Sequence, residues 1–205
     1  MSYFPFFMQI ENADCLIVGG GKVALRKAEK LLPYGPRITV AAPEFTEEFS
    51  RFPEIKTLHM PWSESLAEGR DFVIAATDCR EVNREISRVC REKKIPVNVV
   101  DDRELCTFLF PSLVKNGELS IGISTGGASP SGAVYVKEKI REAIPDFIGE
   151  LIEQLDALRP LIRQMVPEEE KRASVYKKLF AVSMEQGKAP DAEELQRFLK
   201  EGDIL

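Results

Sequence analysis

The chain has 205 residues, 44% of them hydrophobic and 30% charged, with a net charge of −5. That is enough for one large domain or two small ones, in the composition range of an ordinary soluble protein. An acidic balance without a long basic block argues against a nucleic-acid partner, and no apolar run reaches the ~18 residues that a membrane span needs.

The N-terminus, Met1 to Gln9, is aromatic but has no basic n-region, so it is not expected to be a secretory signal; it reads as an edge strand packed on a sheet. Cys15 to Val18 is an apolar run that stops at Gly19-Gly20-Gly21. A helix-compatible stretch follows, with apolar residues at Val23, Ala24, Ala28, Leu31 and Leu32. Strand, tight turn and helix enclose the frame Gly19-x-Gly21-x-x-Ala24, the G-x-G-x-x-G/A dinucleotide pattern. Gly19 permits the turn, Gly21 lets backbone approach a pyrophosphate, and Ala24 permits close helix–strand packing. Free N–H groups and the positive dipole end at the helix start suit an anion. Gly19, Gly20 and Gly21 are therefore cofactor-binding candidates, against the simpler reading of a plain strand-to-helix turn.

After a break at Tyr34-Gly35-Pro36, Arg37 to Ala42 reads as a second strand closed by Pro43. Glu44 can bond the adenosine ribose, or it can simply start a surface helix from Glu44 to Phe52. No arginine directly follows the strand to meet a 2′-phosphate, so NAD is favoured over NADP. Lys56 to Met60 is a third strand, and its His59, the single histidine, reads as structural; a histidine-cluster metal site is excluded and no metal ligand is assigned. Phe72 to Ala76 is the continuous apolar run of a buried parallel strand. Thr77 and Asp78 stand at its C-terminal end, where ligands of open α/β sheets bind; Asp78 can equally cap the helix Glu81 to Lys93, whose apolar face is Val82, Ile86, Val89 and Cys90.

Pro96 to Val100 is a fifth strand ending in Asp101-Asp102. A carboxylate there is placed to exchange protons beside the nucleotide crevice, although either aspartate can also face solvent in a turn. Thr107 to Phe110 reads as a sixth strand, stopped by Pro111. Cysteines at 15, 79, 90 and 106 form no C-x-x-C pair, which argues against a disulfide framework and for a cytoplasmic address.

Beyond Pro111 the character changes. Asn116-Gly117 signals a hairpin joining Ser112–Val114 to Leu119–Ser124. Thr125-Gly126-Gly127-Ala128-Ser129-Pro130 is a second glycine-rich loop before a helix, with Ser129 as N-cap and Pro130 as first helical residue, running to about Ala143. From Pro145 on the period is helical. Pro160 kinks or ends one helix, Pro167 starts the next, which runs to Gly187, and Asp191-x-x-Glu194 is a capping box for a last one.

The expected fold class is α/β: a Rossmann-like parallel sheet over residues 1–112, a small α+β segment over 113–145 and a helical C-terminal domain over 146–205.

Four ordered stretches also resemble a known family. They are Leu16-Ile17-Val18-Gly19-Gly20-Gly21-x-Val23-Ala24-x-Arg26-Lys27, Ala75-Ala76-Thr77-Asp78, Asn98-Val99-Val100-Asp101 and Ser124-Thr125-Gly126-Gly127-x-Ser129-Pro130. Together the chain resembles the precorrin-2 dehydrogenase and sirohydrochlorin ferrochelatase family, the siroheme synthase N-terminal module in its standalone form, across roughly residues 1 to 145. The resemblance implies NAD-dependent oxidation of precorrin-2 to sirohydrochlorin, with insertion of Fe²⁺, or Co²⁺, as a further activity in many members. It implies a homodimer paired through the segment after Pro111. Asp101 matches the family's essential aspartate; Lys22, Val23, Pro43 and Glu44 match its backbone cofactor contacts, with Asn98 and Val99 on the cofactor side. Ser124, Thr125, Gly126 and Ser129 fall in its substrate loop, where Thr125 matches a hydroxyl residue phosphorylated in some relatives.

A polycarboxylate substrate on an acidic protein needs local positive features, and Lys22, Lys137, Lys139, Arg141 and the Thr125–Ser129 loop are candidates, each lysine also reading as a solvated charge. Two departures stand out. Arg103 replaces a proline common two places after the aspartate, and Gly132-Ala133-Val134 lacks an arginine that relatives carry there. No methyltransferase module is expected to follow. Two other readings remain: a different small NAD-dependent dehydrogenase acting on an imine or hydroxy acid, and a non-catalytic NAD-sensing module.

Overall fold

The computed structural model describes residues 3–190 and 193–194. The chain forms two compact units, Met1–Phe110 and Pro111–Leu205.

The first unit is a five-stranded parallel sheet built from β1 (Asp14–Val18), β2 (Arg37–Ala42), β3 (Lys56–His59), β4 (Phe72–Ala75) and β5 (Val97–Val99), in the order β3-β2-β1-β4-β5. β1 is central, and Cys15, Leu16 and Ile17 have no exposed surface because sheet neighbours and helices cover them on every side. Two helices cover the faces: α1 (Lys22–Leu31) follows β1, and α2 (Arg80–Glu92) follows β4. Strand alternation sorts the apolar residues. Cys15, Ile17, Val40 and Ile74 pack with Ala24, Leu25 and Ala28 of α1, whereas Leu16, Val18, Val73, Ala75, Val97 and Val99 pack with Ile86 and Cys90 of α2. The strands are parallel, so their C-terminal ends share one edge of the sheet.

The expected first five strands of this unit form, as do the helices after β1 and β4, but three local expectations do not. Among the described residues, 3–9 do not form an edge strand. The chain reverses at Glu11-Asn12, where Asn12 takes a φ of 60° and donates to the Gly35 carbonyl. Ile10 packs on the core, and Phe4, Phe6 and Phe7 stay exposed. The predicted helix from Glu44 to Phe52 is a 3₁₀ turn over Glu47–Arg51. Too few residues lie between Pro43 and Pro53 to offset helix nucleation, and Phe52, as the residue before a proline, is driven out of the α region. Thr107 to Phe110 is not a sixth strand. The amides of Thr107 and Phe108 both reach the single carbonyl of Val97, and the Thr107 hydroxyl accepts from the Val97 amide, which leaves no ladder to extend.

The second unit begins with the hairpin β6 (Ser112–Asn116) and β7 (Leu119–Ile123), turning at Gly117 with φ 52°. Helices α3 (Pro130–Ala143), α4 (Ile148–Ala157), α5 (Arg159–Met165) and α6 (Glu169–Gln186) follow. Gly149 opens α4 against the hairpin: a Cβ there would lie 2.3 Å from Asn116 Oδ1. Ile162, Val166, Val175 and Leu179 form the helical core. Pro160 lies in the first turn of α5, just past the end of α4, so it marks the division between two helices as expected, and Gly187 ends α6 in the left-handed region. The capping box begins at Asp191, outside the described residues.

Candidate active site

The glycine turn is held by close backbone approaches. Gly19 has a φ of +126°, and a Cβ there would sit 2.3 Å from the Ala76 carbonyl oxygen. Gly20 is tighter still: its Cβ would sit 1.9 Å from the carbonyl oxygen of Glu44, while its own carbonyl accepts from the Thr46 amide at 2.9 Å. These two glycines dock the β1 turn onto the turns after β4 and β2. Gly21 differs, because a Cβ there would meet nothing within 4 Å. It is the N-cap of α1, has no side-chain cap, and is followed by no acidic residue in the first turn. The first N–H groups of α1 therefore face open space uncompensated, the arrangement that a pyrophosphate fills. On this chemistry the residues fit a dinucleotide: the amides of Lys22 and Val23 would meet the phosphates, and the exposed Pro43 and Glu44 border the turn after β2.

Thr77 and Asp78 follow β4 on the same edge. Asn83 of α2 clamps Thr77, accepting from its hydroxyl at 2.8 Å and its amide at 3.3 Å and donating to its carbonyl at 2.9 Å. The Thr77 hydroxyl also accepts from the Cys79 amide at 3.2 Å. The N-cap of α2 is Cys79, without a side-chain cap bond, so Asp78 does not cap this helix and its side chain is exposed. The sequence reading left out Asn83, although a buried asparagine one turn into a helix after a strand end is a recognisable clamp. Asn83→Ala is expected to cost about 2 kcal/mol by leaving the Thr77 groups short of partners, read as a lower urea midpoint with an unchanged slope.

β5 brings the remaining candidates. Val99 is buried on the α2 side, with its amide 3.1 Å and its carbonyl 3.2 Å from Cys106 Sγ. Cys106 also reaches the Asp102 carbonyl at 3.2 Å, so one thiol ties the end of β5 to the turn after it. Burial raises the Cys106 thiol pKa above its ordinary value, which favours the protonated donor. The two adjacent aspartates separate clearly. Asp102 Oδ1 accepts from the Glu104 amide at 3.2 Å and caps the 3₁₀ turn Arg103–Leu105. Asp101 is exposed and sits at φ 59°, in the left-handed region that few non-glycine residues adopt. Such strain gathers at functional sites.

Asn98 is 5% exposed and faces α1. Its Nδ2 donates to the Phe108 carbonyl at 3.0 Å, and its Oδ1 accepts from Lys27 Nζ at 3.4 Å. The Lys27 ammonium also lies 3.9 Å from the centre of the Phe110 ring. Lys27 was not among the sequence candidates: it occurs in the glycine-loop stretch, but nothing in its spacing separates it from a solvated helix lysine.

The predicted substrate loop lies in the second unit. The Thr125 hydroxyl donates to the Ser129 carbonyl at 3.0 Å and accepts from the Ser129 amide at 3.2 Å. Ser124 Oγ accepts from the Gly126 amide, and Ser129 Oγ accepts from the Gly132 amide as N-cap of α3. Among the described residues no cluster of three or more histidine, cysteine, aspartate or glutamate side chains could hold a metal.

A parallel sheet in this order, with a glycine turn opening α1 at the edge where the strands end, defines a dinucleotide-binding α/β protein. Residues 6–112 match the family model described as "Putative NAD(P)-binding", just over half of the 205-residue chain, and the chain belongs to that NAD(P)-binding family.

Its relatives include the siroheme synthase of Thioalkalivibrio sulfidiphilus (strain HL-EbGR7), 36% identical over 182 residues covering 87% of this chain and 37% of that protein. The siroheme synthase of Nitrosomonas europaea (strain ATCC 19718 / CIP 103999 / KCTC 2705 / NBRC 14298) is 36% identical over 183 residues, covering 87% of this chain and 38% of that protein. The chain thus spans less than two-fifths of the length of these relatives. A solved structure named "SirC, precorrin-2 dehydrogenase" superposes with a TM-score of 0.74 at 21% identity, covering 97% of this chain and 98% of that one, which establishes a shared fold. The family resemblance carried by the four motifs is borne out.

Proposed function

We propose that this chain catalyses the NAD-dependent dehydrogenation of precorrin-2 to sirohydrochlorin. One observation carries the reading: Asp101, exposed and held in a left-handed turn, ends β5 on the sheet edge where the glycine turn opens α1. Relatives named siroheme synthase and a shared fold with a precorrin-2 dehydrogenase supply the substrate class.

Bound NAD⁺ supplies the hydride acceptor. The backbone at Gly21, Lys22 and Val23 holds its phosphates, and Glu44 at the end of β2 accepts from ribose hydroxyls while repelling a 2′-phosphate, which favours NAD over NADP. Pro43, Thr77, Asp78, Asn98 and Val99 shape the rest of that edge. Asp101 accepts the proton that leaves the substrate ring. The exposed Ser124–Ser129 loop at the start of α3 binds substrate carboxylates. A second activity follows from the same carboxylate, since Asp101 can take pyrrole protons as Fe²⁺ or Co²⁺, as a substrate, enters sirohydrochlorin.

The chain works as a homodimer paired through residues 113–145, with 146–205 as a helical domain. α3 has no buried residue and exposes Val134, Tyr135 and Val136, an apolar surface that a second copy covers. A cytoplasmic address suits four free thiols, three of them buried. No helix among the described residues is long and apolar enough to cross a membrane.

Anaerobic incubation with precorrin-2 and NAD⁺ is expected to give the absorption change to sirohydrochlorin, and NADP⁺ in its place a rate at least about tenfold lower. NAD binding without any spectral change would sink the dehydrogenase reading.

A further inference from the structure

Asp101 is exposed, so the backbone of its turn decides where the carboxylate lies. That backbone sits at φ 59°, and a residue other than glycine stays in such a region only where its surroundings over-determine it. The Val100 amide ends the sheet ladder, donating to the Ala75 carbonyl at 2.9 Å. The bond that closes the turn, from the Asp102 amide to the Val99 carbonyl, is stretched to 3.5 Å.

Cys106 braces this turn from below. Its Sγ lies 3.2 Å from the Val99 carbonyl oxygen and 3.2 Å from that of Asp102, so the thiol hydrogen is shared between the two residues that flank Val100-Asp101. The sulfur in return accepts from the Val99 amide at 3.1 Å. Burial favours the protonated thiol, the form that donates.

The sulfur is itself fixed from α2. Arg91 Nη2 donates to the carbonyls of Glu104 at 2.9 Å and Cys106 at 3.2 Å. The buried Ser87 hydroxyl donates to the carbonyl between them, that of Leu105, at 2.7 Å. The brace therefore runs from a helix, through one side chain, to the turn that carries Asp101.

Resting on the precorrin-2 dehydrogenase reading, we propose that Cys106 is a positioning residue for Asp101, its thiol joining both sides of the left-handed turn so that the reacting carboxylate keeps one place. A thiol is a weak donor, but its contacts converge on a single turn. Displacing a reacting group by about 1 Å can cost about 10²-fold in rate.

Backbone ¹⁵N relaxation of the full chain reads the brace without substrate. The order parameter of the Asp101 amide is expected at about 0.85 in the parent and in Cys106→Ser, whose hydroxyl keeps a donor, and below about 0.6 in Cys106→Ala. Should alanine unfold the chain, Cys106→Val fills the space of the thiol without a donor and carries the same expectation. A mobile Asp101 in the parent, or one as rigid in the alanine or valine variant as in the parent, overturns the proposal.

The kinetic arm separates positioning from mere stability. Cys106→Ala is expected to lower kcat by about tenfold or more with the KM for NAD unchanged, and Cys106→Ser to stay within a few-fold of the parent. In an Asp101→Asn background the same Cys106→Ala should change kcat by less than about twofold, because the group it positions is already disabled. An equal loss in both backgrounds shows a structural role alone and also overturns the proposal. A parent protein without turnover, in which the Asp101 order parameter still falls in Cys106→Ala, refutes the dehydrogenase reading and leaves the brace standing.

Discussion

Asp101→Asn is expected to lower kcat/KM for precorrin-2 by about 10²–10⁴-fold while leaving the melting temperature and the NAD affinity within error. The turn after β5 holds this residue at φ 59°, and asparagine tolerates the left-handed region as well as aspartate does. The substitution therefore keeps shape and backbone and removes the proton-accepting charge. Alanine would add backbone strain of about 1 kcal/mol, and its loss of activity would be harder to read. The control is one residue away. Asp102 Oδ1 accepts from the Glu104 amide to cap a 3₁₀ turn, and an asparagine oxygen can do the same, so Asp102→Asn is expected to stay within a few-fold of the parent rate. Equal losses in the two variants, or none in Asp101→Asn, would remove Asp101 from the chemistry.

The three glycines should divide into those that hold the fold and the one that seats the cofactor. Gly20→Ala drives a methyl group to 1.9 Å from the Glu44 carbonyl oxygen. The obstacle is backbone rather than a side chain that can rotate away, so a loss of about 3 kcal/mol or more is expected, read as a large fall in melting temperature or as failure to fold. Gly21→Ala adds a methyl group that meets nothing within 4 Å, at a φ of −86° that any residue adopts. Its stability should stay within about 1 kcal/mol of the parent, because the lower entropy of the unfolded chain is offset by alanine being a poorer N-cap than glycine. NAD affinity should nevertheless fall by about tenfold or more, because the methyl group stands in the space before the helix start. Calorimetric titration of Gly21→Ala with NAD that returned the parent affinity would show that the pyrophosphate rests elsewhere.

The elements that the sequence makes legible are those specified by local pattern. β2 and α3 run over the residues that their turn signals and caps mark, Arg37–Ala42 and Pro130–Ala143. β4 stands out because a strand buried on both faces is apolar at every position. Patterns failed where a neighbour elsewhere in the chain decides. Thr107 to Phe110 has the residues of a strand, yet its first two amides share one carbonyl and its threonine side chain takes the donor that a ladder needs. The aromatic N-terminal segment has strand propensity, but β1, the strand it leads into, is already flanked by β2 and β4 and offers it no edge.

By itself, the sequence determined the class of protein. The β1–glycine–α1 stretch, the strand-end aspartate and the family likeness lie within short segments, and short segments specify turn geometry, helix caps and apolar periods. Only the tertiary structure decided how those parts share the work. It assigned Gly20 to a backbone 24 residues away, separated Asp101 from Asp102, and brought Lys27 to Asn98 across 71 residues of chain. The physical reason is that close approach, burial and opposing charge depend on which strands lie side by side, and a parallel sheet joins residues far apart in sequence. The amino-acid pattern around Lys27 is that of an ordinary helix surface; its inward seat against Asn98 and Phe110 becomes visible only in the folded chain.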